Sequence, residues 1–354
     1  MKKISAAVLS FLIFVYALPI ITLGIGGSTD GDTHVSAEDT HTQMPDPFDL
    51  FSSVLQDPDT KEDEVPENVD YDEQNHVSVL IDGTVKNMTI REYLIGVVAA
   101  EMPASFPIEA LKAQAVAARS YMLHKIENQT DVSEHNGAQL CDDHTHCTAY
   151  FDIEASGAEL WGDKAEYDGD RIKAAVTDTD GIVAVSNGKV IAAVFHSASA
   201  DMTEAAVNVW GTDYPYLVSV SSVGGNASPA YYGTVVVGKT DFCSKIKENY
   251  PNAAFPSDAS KWISGMRRSQ SGGVLEMVVG GVLIKGTEIR SMFSLNSTNF
   301  KIEMTEDEVV FTTVGTGHVV GMSQFGAREM ALNGAYFDEI ICHYYSGVQL
   351  MVKN

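Results

Sequence analysis

The chain has 354 residues, 45% of them apolar, enough for one large domain or two ordinary ones with a real core. Its 48 acidic and 23 basic side chains leave a net charge of −25 and a pI near 4.6, so phosphate backbones and anionic membrane surfaces repel it. Nucleic-acid binding is set aside as the main activity, and so is a chain disordered throughout.

The N-terminus, "MKKISAAVLSFLIFVYALPIITLGIGG", is two lysines followed by roughly twenty mostly apolar residues, about the length that crosses a bilayer core. Residues 1–27 are read as a membrane anchor with Lys2 and Lys3 on the inner side and the rest of the chain exported. A signal peptide cut near "GIGGST" is the alternative. Residues 28–75 turn to Asp, Glu, Ser, Thr and Pro, a composition that buries too little apolar surface to offset chain entropy. They are expected to be a flexible acidic tether.

A folded domain is expected over 76–354. "HVSVLIDG" alternates apolar and polar residues and ends in a turn dipeptide, which predicts a strand from His76. Thr89 and Glu92 make a capping box, with Met88 and Tyr93 spaced for a hydrophobic staple, so a helix is predicted over Ile90–Glu101. Pro103 stops it, and Pro107 suits the first turn of a second helix running to about Ile126. Further on, "GIVAVSNGKVIAAVFHSAS" carries the hairpin signal Asn187-Gly188. "YLVSVSS", "YYGTVVVG", "GGVLEMVVGGVLIKG" and "NFKIEMTEDEVVFTTVG" read as strands, and "DFCSKIKENY", "MSQFGAREMALNG" and "YFDEIICHYYSG" as helices. Without βαβ alternation, the expected class is α+β, with a mostly antiparallel sheet and an early two-helix element.

In the first helix Leu94, Val97, Val98 and Glu101 fall at i, i+3, i+4 and i+7, which puts a carboxylate on the apolar face. Desolvation and the negative end of the helix dipole both favour its protonated form, as a general acid requires. The other reading is a structural glutamate paired with Lys112 or Arg119 of the second helix. Those two cations, two turns apart on one side, suit either an anionic ligand or plain solvation.

"SEHNGAQLCDDHTHCTAY" packs two cysteines and three histidines into a short stretch. His135, Cys141, His146 and Cys147 are the chosen ligands of one structural zinc ion, with His144 in reserve. In an exported chain a Cys141–Cys147 disulfide is the competing reading. An open metal position would turn the reading toward a zinc hydrolase. Cys243 and Cys342 are expected to be buried free thiols.

"EYLIGVVAAEMPASFPIEALKAQAVAARSYML" resembles the signature of the stage II sporulation protein D family, and "VFHSASADMTE", "VWGTDYPYLVSV", "IRSMFSLNSTNF", "GHVVGMSQFGA" and "ICHYYSGV" continue the likeness. The resemblance implies a membrane-anchored peptidoglycan lytic transglycosylase, its catalytic domain between mother cell and forespore, acting on peptide-free glycan strands during engulfment. Glu101 matches the family's catalytic glutamate. Lys112, Arg119 and Ser120 fall in the same motif as candidate sugar-binding residues, and His196, Ser199, His318, Ser323 and Gln324 come from the later ones. Ser120 is equally open to a packing role and His318 to a structural one. The sequence departs from the family pattern at Ala200 and Asp201, where two glycines are expected, and at Val319, where one is. By the same analogy the partners are stage II sporulation protein P, an amidase, and stage II sporulation protein M, a membrane scaffold. A non-catalytic wall-binding module that stimulates an amidase is the alternative function.

Overall fold

The computed structural model describes residues 70–129 and 132–354. The expected anchor at 1–27 and the tether up to residue 69 lie outside the described residues. Among those described, no helix is long and apolar enough to cross a membrane.

Folded structure begins upstream of the expected boundary at His76. A short helix, α1 (Tyr71–Gln74), is capped by Asp70, whose side chain accepts from the Glu73 amide. Its Asp72 is fully buried. β1 (His76–Ile81) and β2 (Thr84–Thr89) form an antiparallel hairpin turned by Asp82 and Gly83, both at positive φ. Thr89 then caps α2 (Ile90–Glu101): its hydroxyl accepts from the Glu92 amide, while the Glu92 carboxylate accepts from the Thr89 amide. α3 (Ile108–Asn128) starts one residue after Pro107, which is its N-cap. Ala110, Ala113, Ala115, Ala117 and Ala118 are buried along α3, which lets neighbouring elements approach closely.

After β3 (Leu140–Cys141), which joins β1 in parallel, come two helices that the sequence pattern did not reveal, α4 (Ile153–Trp161) and α5 (Ala165–Thr177). β4 (Ile182–Ser186) and β5 (Lys189–Val190) flank the Asn187-Gly188 turn, with φ of 52° and 72°, and β14 (Gln349–Val352) completes their sheet. β6 (Phe195–His196) pairs in parallel with β13 (Met322–Ser323), so His196 faces Ser323 in register. A five-residue helix, α6 (Ala206–Trp210), follows β6.

Between β6 and β13 the chain builds a second core. β7 (Tyr232–Gly238), α7 (Lys239–Asn249), β8 (Ile263–Arg268), β9 (Val274–Val279), β10 (Val282–Lys285), α8 (Gly286–Met292), β11 (Phe300–Met304) and β12 (Glu308–Val314) surround Phe242, Trp262, Phe293 and Phe311. The main core gathers α2, α3, β1 and β4 with α9 (Gln324–Leu332) and α10 (Phe337–Tyr344). Among the described residues the class is α+β and the pairing mostly antiparallel, but it is spread over five small sheets of two or three strands.

Three further expectations change. "YLVSVSS" forms no strand, because the Thr203 hydroxyl accepts the Val220 amide at 3.0 Å and takes a ladder partner away; one bridge, Met202 to Ser221, remains. Ala200 and Asp201 stand outside the positive-φ region, so this loop accepts side chains there. Val319, by contrast, has φ of 57°, a strained setting for a β-branched residue and the reason glycine suits that position. Cys342 is exposed and Cys243 half-buried, so neither is a buried core thiol.

Candidate active site and candidate metal centre

Glu101 closes α2 at its C-terminus, and Leu94, Val97 and Val98 on the same face are completely buried. The turn after it is held by Arg171 of α5, which donates to the carbonyls of Ala104 at 2.8 Å and Phe106 at 2.5 Å. The Phe106 ring meets Phe325 edge-on at 5.1 Å, docking this turn on the start of α9. Gln324, next to Phe325, thereby reaches Glu101: its Nε2 donates to Oε2 at 3.2 Å. The other oxygen, Oε1, accepts from the Ala149 amide at 3.3 Å.

Burial, above all, lifts the Glu101 carboxyl above the ordinary carboxylate range. The Gln324 and Ala149 donors and the nearby His144 charge oppose the shift without cancelling it, and none of the groups acting on it is a second carboxylate. The arrangement is that of a single hydrogen-bonded acid with a raised proton affinity.

The two cations that could have neutralised it are elsewhere. Lys112 pairs with Glu109 at 3.3 Å and Asp178 at 3.1 Å. Arg119 is fully buried, pairs with Asp72 and donates to the Ile182 carbonyl at 3.1 Å. Both helical cations are engaged within the protein: Lys112 closes a local ion pair and Arg119 bolts α1 to α3. Ser120 is structural too, donating to the Val116 carbonyl at 2.7 Å and accepting the Ala184 amide at 2.9 Å.

Ser323 caps α9, accepting the Gly326 amide at 3.2 Å, and the buried Ser199 donates to Ser222 at 2.8 Å. His196 is buried and its Nδ1 bonds the Val320 carbonyl at 3.1 Å, which makes Nδ1 the donor and leaves Nε2 as an unpartnered acceptor. His318 accepts the Val320 amide at 3.1 Å, and the two imidazoles lie 5.8 Å apart. Burial, then the neighbouring His318, lowers His196 to about 3; burial, then Arg290, lowers His318 to about 4. Burial thus holds both rings in the neutral form at physiological pH.

The ligand atoms of His135, Cys141, His146 and Cys147 converge within 4.8 Å of one another. His135 Nε2 is 2.8 Å from His146 Nδ1, Cys141 Sγ is 3.6 Å from that Nδ1, and Cys147 Sγ is 3.6 Å from His135 Nε2. A tetrahedral ion bonded at ~2.3 Å to sulfur and ~2.0–2.1 Å to nitrogen sets its ligand atoms roughly 3.3–3.8 Å apart: the two thiol–imidazole separations match, the imidazole pair would open by about half an ångström, and the donor set of two thiols and two imidazoles suits zinc. Both cysteines are free thiols. Outer contacts complete the fit: Glu134 lies 3.3 Å from His146 Nε2, and Gln129 Nε2 lies 3.1 Å from His135 Nδ1. His144, the reserve ligand, is exposed and outside the set.

The candidate metal centre and the acid are neighbours in sequence and in space. Cys147 is followed by Thr148, whose hydroxyl bonds the buried Tyr93 of α2 at 2.8 Å, and then by Ala149, which donates to Glu101. The four clustered side chains and Glu101 are legible in the sequence; Ala149, Thr148, Glu134 and Gln129 are not, because only the folded loop creates their contacts. Adjacency of Glu134 to His135 was the one available hint.

Residues 82–185 match the family model described as Stage II sporulation protein. The chain is 38% identical to stage II sporulation protein D of Bacillus subtilis (strain 168) over 270 residues, 75% of this chain and 76% of that one. It is 35% identical to the Bacillus amyloliquefaciens protein of the same name, over 75% of each. A more distant likeness, 25% identity over 73% of this chain and 40% of the other, is to the amidase enhancer of Bacillus subtilis (strain 168). With 38% and 35% identity to the two Bacillus D proteins over three quarters of both chains, the chain belongs to the stage II sporulation protein D family.

Proposed function

We propose that the protein is a lytic transglycosylase of sporulation that cleaves peptide-free peptidoglycan strands between N-acetylmuramic acid and N-acetylglucosamine. The observation that carries this reading is the half-buried, doubly hydrogen-bonded Glu101 carboxyl, with no second carboxylate among the groups that act on it. Its proton passes to the glycosidic oxygen as the C1–O bond breaks. The resulting carboxylate takes the proton of the muramoyl C6 hydroxyl while that oxygen bonds to C1, closing a 1,6-anhydro ring and restoring the acid. No water is consumed, so the second carboxylate that ordinary glycosidases use is not required.

Gln324 and the Ala149 amide orient the carboxyl and stabilise its ionised form between the two proton transfers. A zinc ion held by His135, Cys141, His146 and Cys147 would supply structure alone, since four protein ligands leave no open position for water. Residues 1–27 tether the domain to the membrane, and the family context points to an amidase and a membrane scaffold as partners. A non-catalytic enhancer role leaves the oriented acid without a purpose, which is why it ranks second.

Mass spectrometry of peptide-free strands incubated with the protein tests the reading. Anhydro-muramoyl ends are the expected product; new reducing ends indicate a hydrolase, and intact strands that remain bound indicate the enhancer role.

A further inference from the structure

Of the arginines among the described residues, six have their charge or terminal nitrogens engaged. Arg91 and Arg119 pair with aspartates, Arg267 and Arg328 with glutamates, and Arg171 and Arg268 donate to backbone carbonyls. Arg290 differs. Its Nε donates to the Leu295 carbonyl at 3.3 Å, and neither terminal nitrogen has a hydrogen-bond or ion-pair partner among the described residues. In a chain with 48 acidic and 23 basic residues, this partly buried guanidinium has its two terminal nitrogens free for an anion from outside.

The next turn fixes where that guanidinium sits. Asn296, one residue beyond Leu295, accepts the Gly317 amide at 3.0 Å, which lays the turn after Arg290's helix α8 against the His318 turn, close enough for the Arg290 charge to act on the His318 ring. Trp210 also lies beside His318, 5.3 Å away between ring centroids and 45% exposed. Trp210 ends α6, whose Asn208 donates to Glu204 at 2.7 Å. The buried Glu204 carboxylate is saturated by Ala205, Asn208, Ser269 and Ser271, so it secures the Trp210 helix and is not the missing partner of Arg290. An unbroken run of neighbours, Gln324, Ser323, His196 and His318, connects this place to Glu101.

We propose that Trp210, His318 and Arg290 form a subsite for a sugar that carries a carboxylate: the indole stacks on the pyranose face, and the guanidinium forks onto the acid. In a glycan strand that acid is the lactyl carboxyl of muramic acid, which is free only where the stem peptide has been removed. The subsite rests on the glycan reading of Glu101 and explains how the protein tells stripped strands from peptide-bearing ones. An amide-linked lactyl group offers no anion and brings a peptide into the same space.

The test measures binding to the full chain carrying Glu101→Gln, so that cleavage does not consume the probe. The probes are peptide-free glycan oligosaccharides and the same oligosaccharides with every lactyl carboxyl converted to the methyl amide. The acid form is expected to bind about ten- to a hundredfold more tightly, the range of a charge-assisted hydrogen-bonded pair. Adding Arg290→Gln should abolish that preference, Arg290→Lys should keep part of it, and Trp210→Ala should weaken both probes alike. Equal binding of the two probes by the Glu101→Gln protein overturns the subsite, as does a preference that survives Arg290→Gln in folded protein. Should Arg290→Gln fail to fold, Arg290→Lys and the probe comparison still decide. Cleavage is scored separately in the wild type. An acid preference without cleavage removes only the transglycosylase reading, and cleavage without the preference removes only the subsite.

Discussion

Gln324 and Glu101 stand 223 residues apart in the chain, yet the amide of one donates to the carboxyl of the other at 3.2 Å. The Phe106–Phe325 ring contact clamps the two segments beside this bond, so the acid is oriented by an element from the opposite end of the domain. A helix-terminal glutamate thereby becomes a held, desolvated acid.

Gly96 guards that arrangement from the other side. Its carbonyl accepts the Phe151 amide at 3.0 Å, and a methyl group on its Cα would come within 2.2 Å of the Tyr150 ring. Gly96→Ala should therefore push the 149–151 segment away and take the Ala149 amide off Glu101. Displacement of a catalytic partner by about 1 Å costs on the order of a hundredfold in rate. Steady-state cleavage rates on folded protein check this; an undiminished rate contradicts the role given to Ala149.

The raised Glu101 pKa has a stability signature. A group whose folded pKa exceeds its ordinary value of 4.5 contributes stability that is present below that value and lost as pH rises through the folded pKa. Glu101→Gln removes the titration, so its melting temperature should match or trail the wild type near pH 4 and overtake it toward neutrality. Thermal melts across pH 4–8 read the difference. A gap that does not change with pH rules out a raised pKa. Cleavage itself should decline over the same window as the acid ionises.

Arg119 and Asp72 are both fully buried, so removing one partner strands a charge. Arg119→Met should cost about 3–5 kcal/mol, and Arg119→Met with Asp72→Leu should recover most of it. Urea unfolding midpoints give both values. A single-variant cost below about 1 kcal/mol would show that the α1 segment is dispensable to the fold.

Native protein should contain one zinc per chain and two cysteines, Cys141 and Cys147, that react with thiol reagents only after chelation. Removing the metal should lower the melting temperature by roughly 10 °C or more, because a structural site contributes several kcal/mol. It should slow cleavage as well, through the loosened Thr148–Ala149 segment. Metal-free native protein with a Cys141–Cys147 disulfide would refute the zinc assignment.

What the sequence made legible was local. The capping box at Thr89 and the proline after Glu101 delimit α2 at Ile90 and Glu101, and Asn187-Gly188 marks its hairpin. The helices α4 and α5 escaped because Gly157 and Gly169 interrupt their pattern; both lie against the Trp161 ring, where small residues serve packing at the expense of helix propensity. Arg119 looked like surface charge because its partner sits 47 residues upstream, in a stretch whose acidity resembles a tether. Trp210 and Arg290 were visible only as members of motifs. Their meaning depends on the Leu295–Asn296 turn meeting Gly317, a tertiary event that no local periodicity encodes.

The central claim is that Glu101 alone moves the proton in both halves of the reaction, and the most direct measurement compares wild type with Glu101→Gln on peptide-free glycan strands. Mass spectrometry should find anhydro-muramoyl products from the wild type and a loss of at least about a thousandfold in their rate for Glu101→Gln, with binding of the strands retained. Anhydro products formed by Glu101→Gln at a comparable rate would contradict the account.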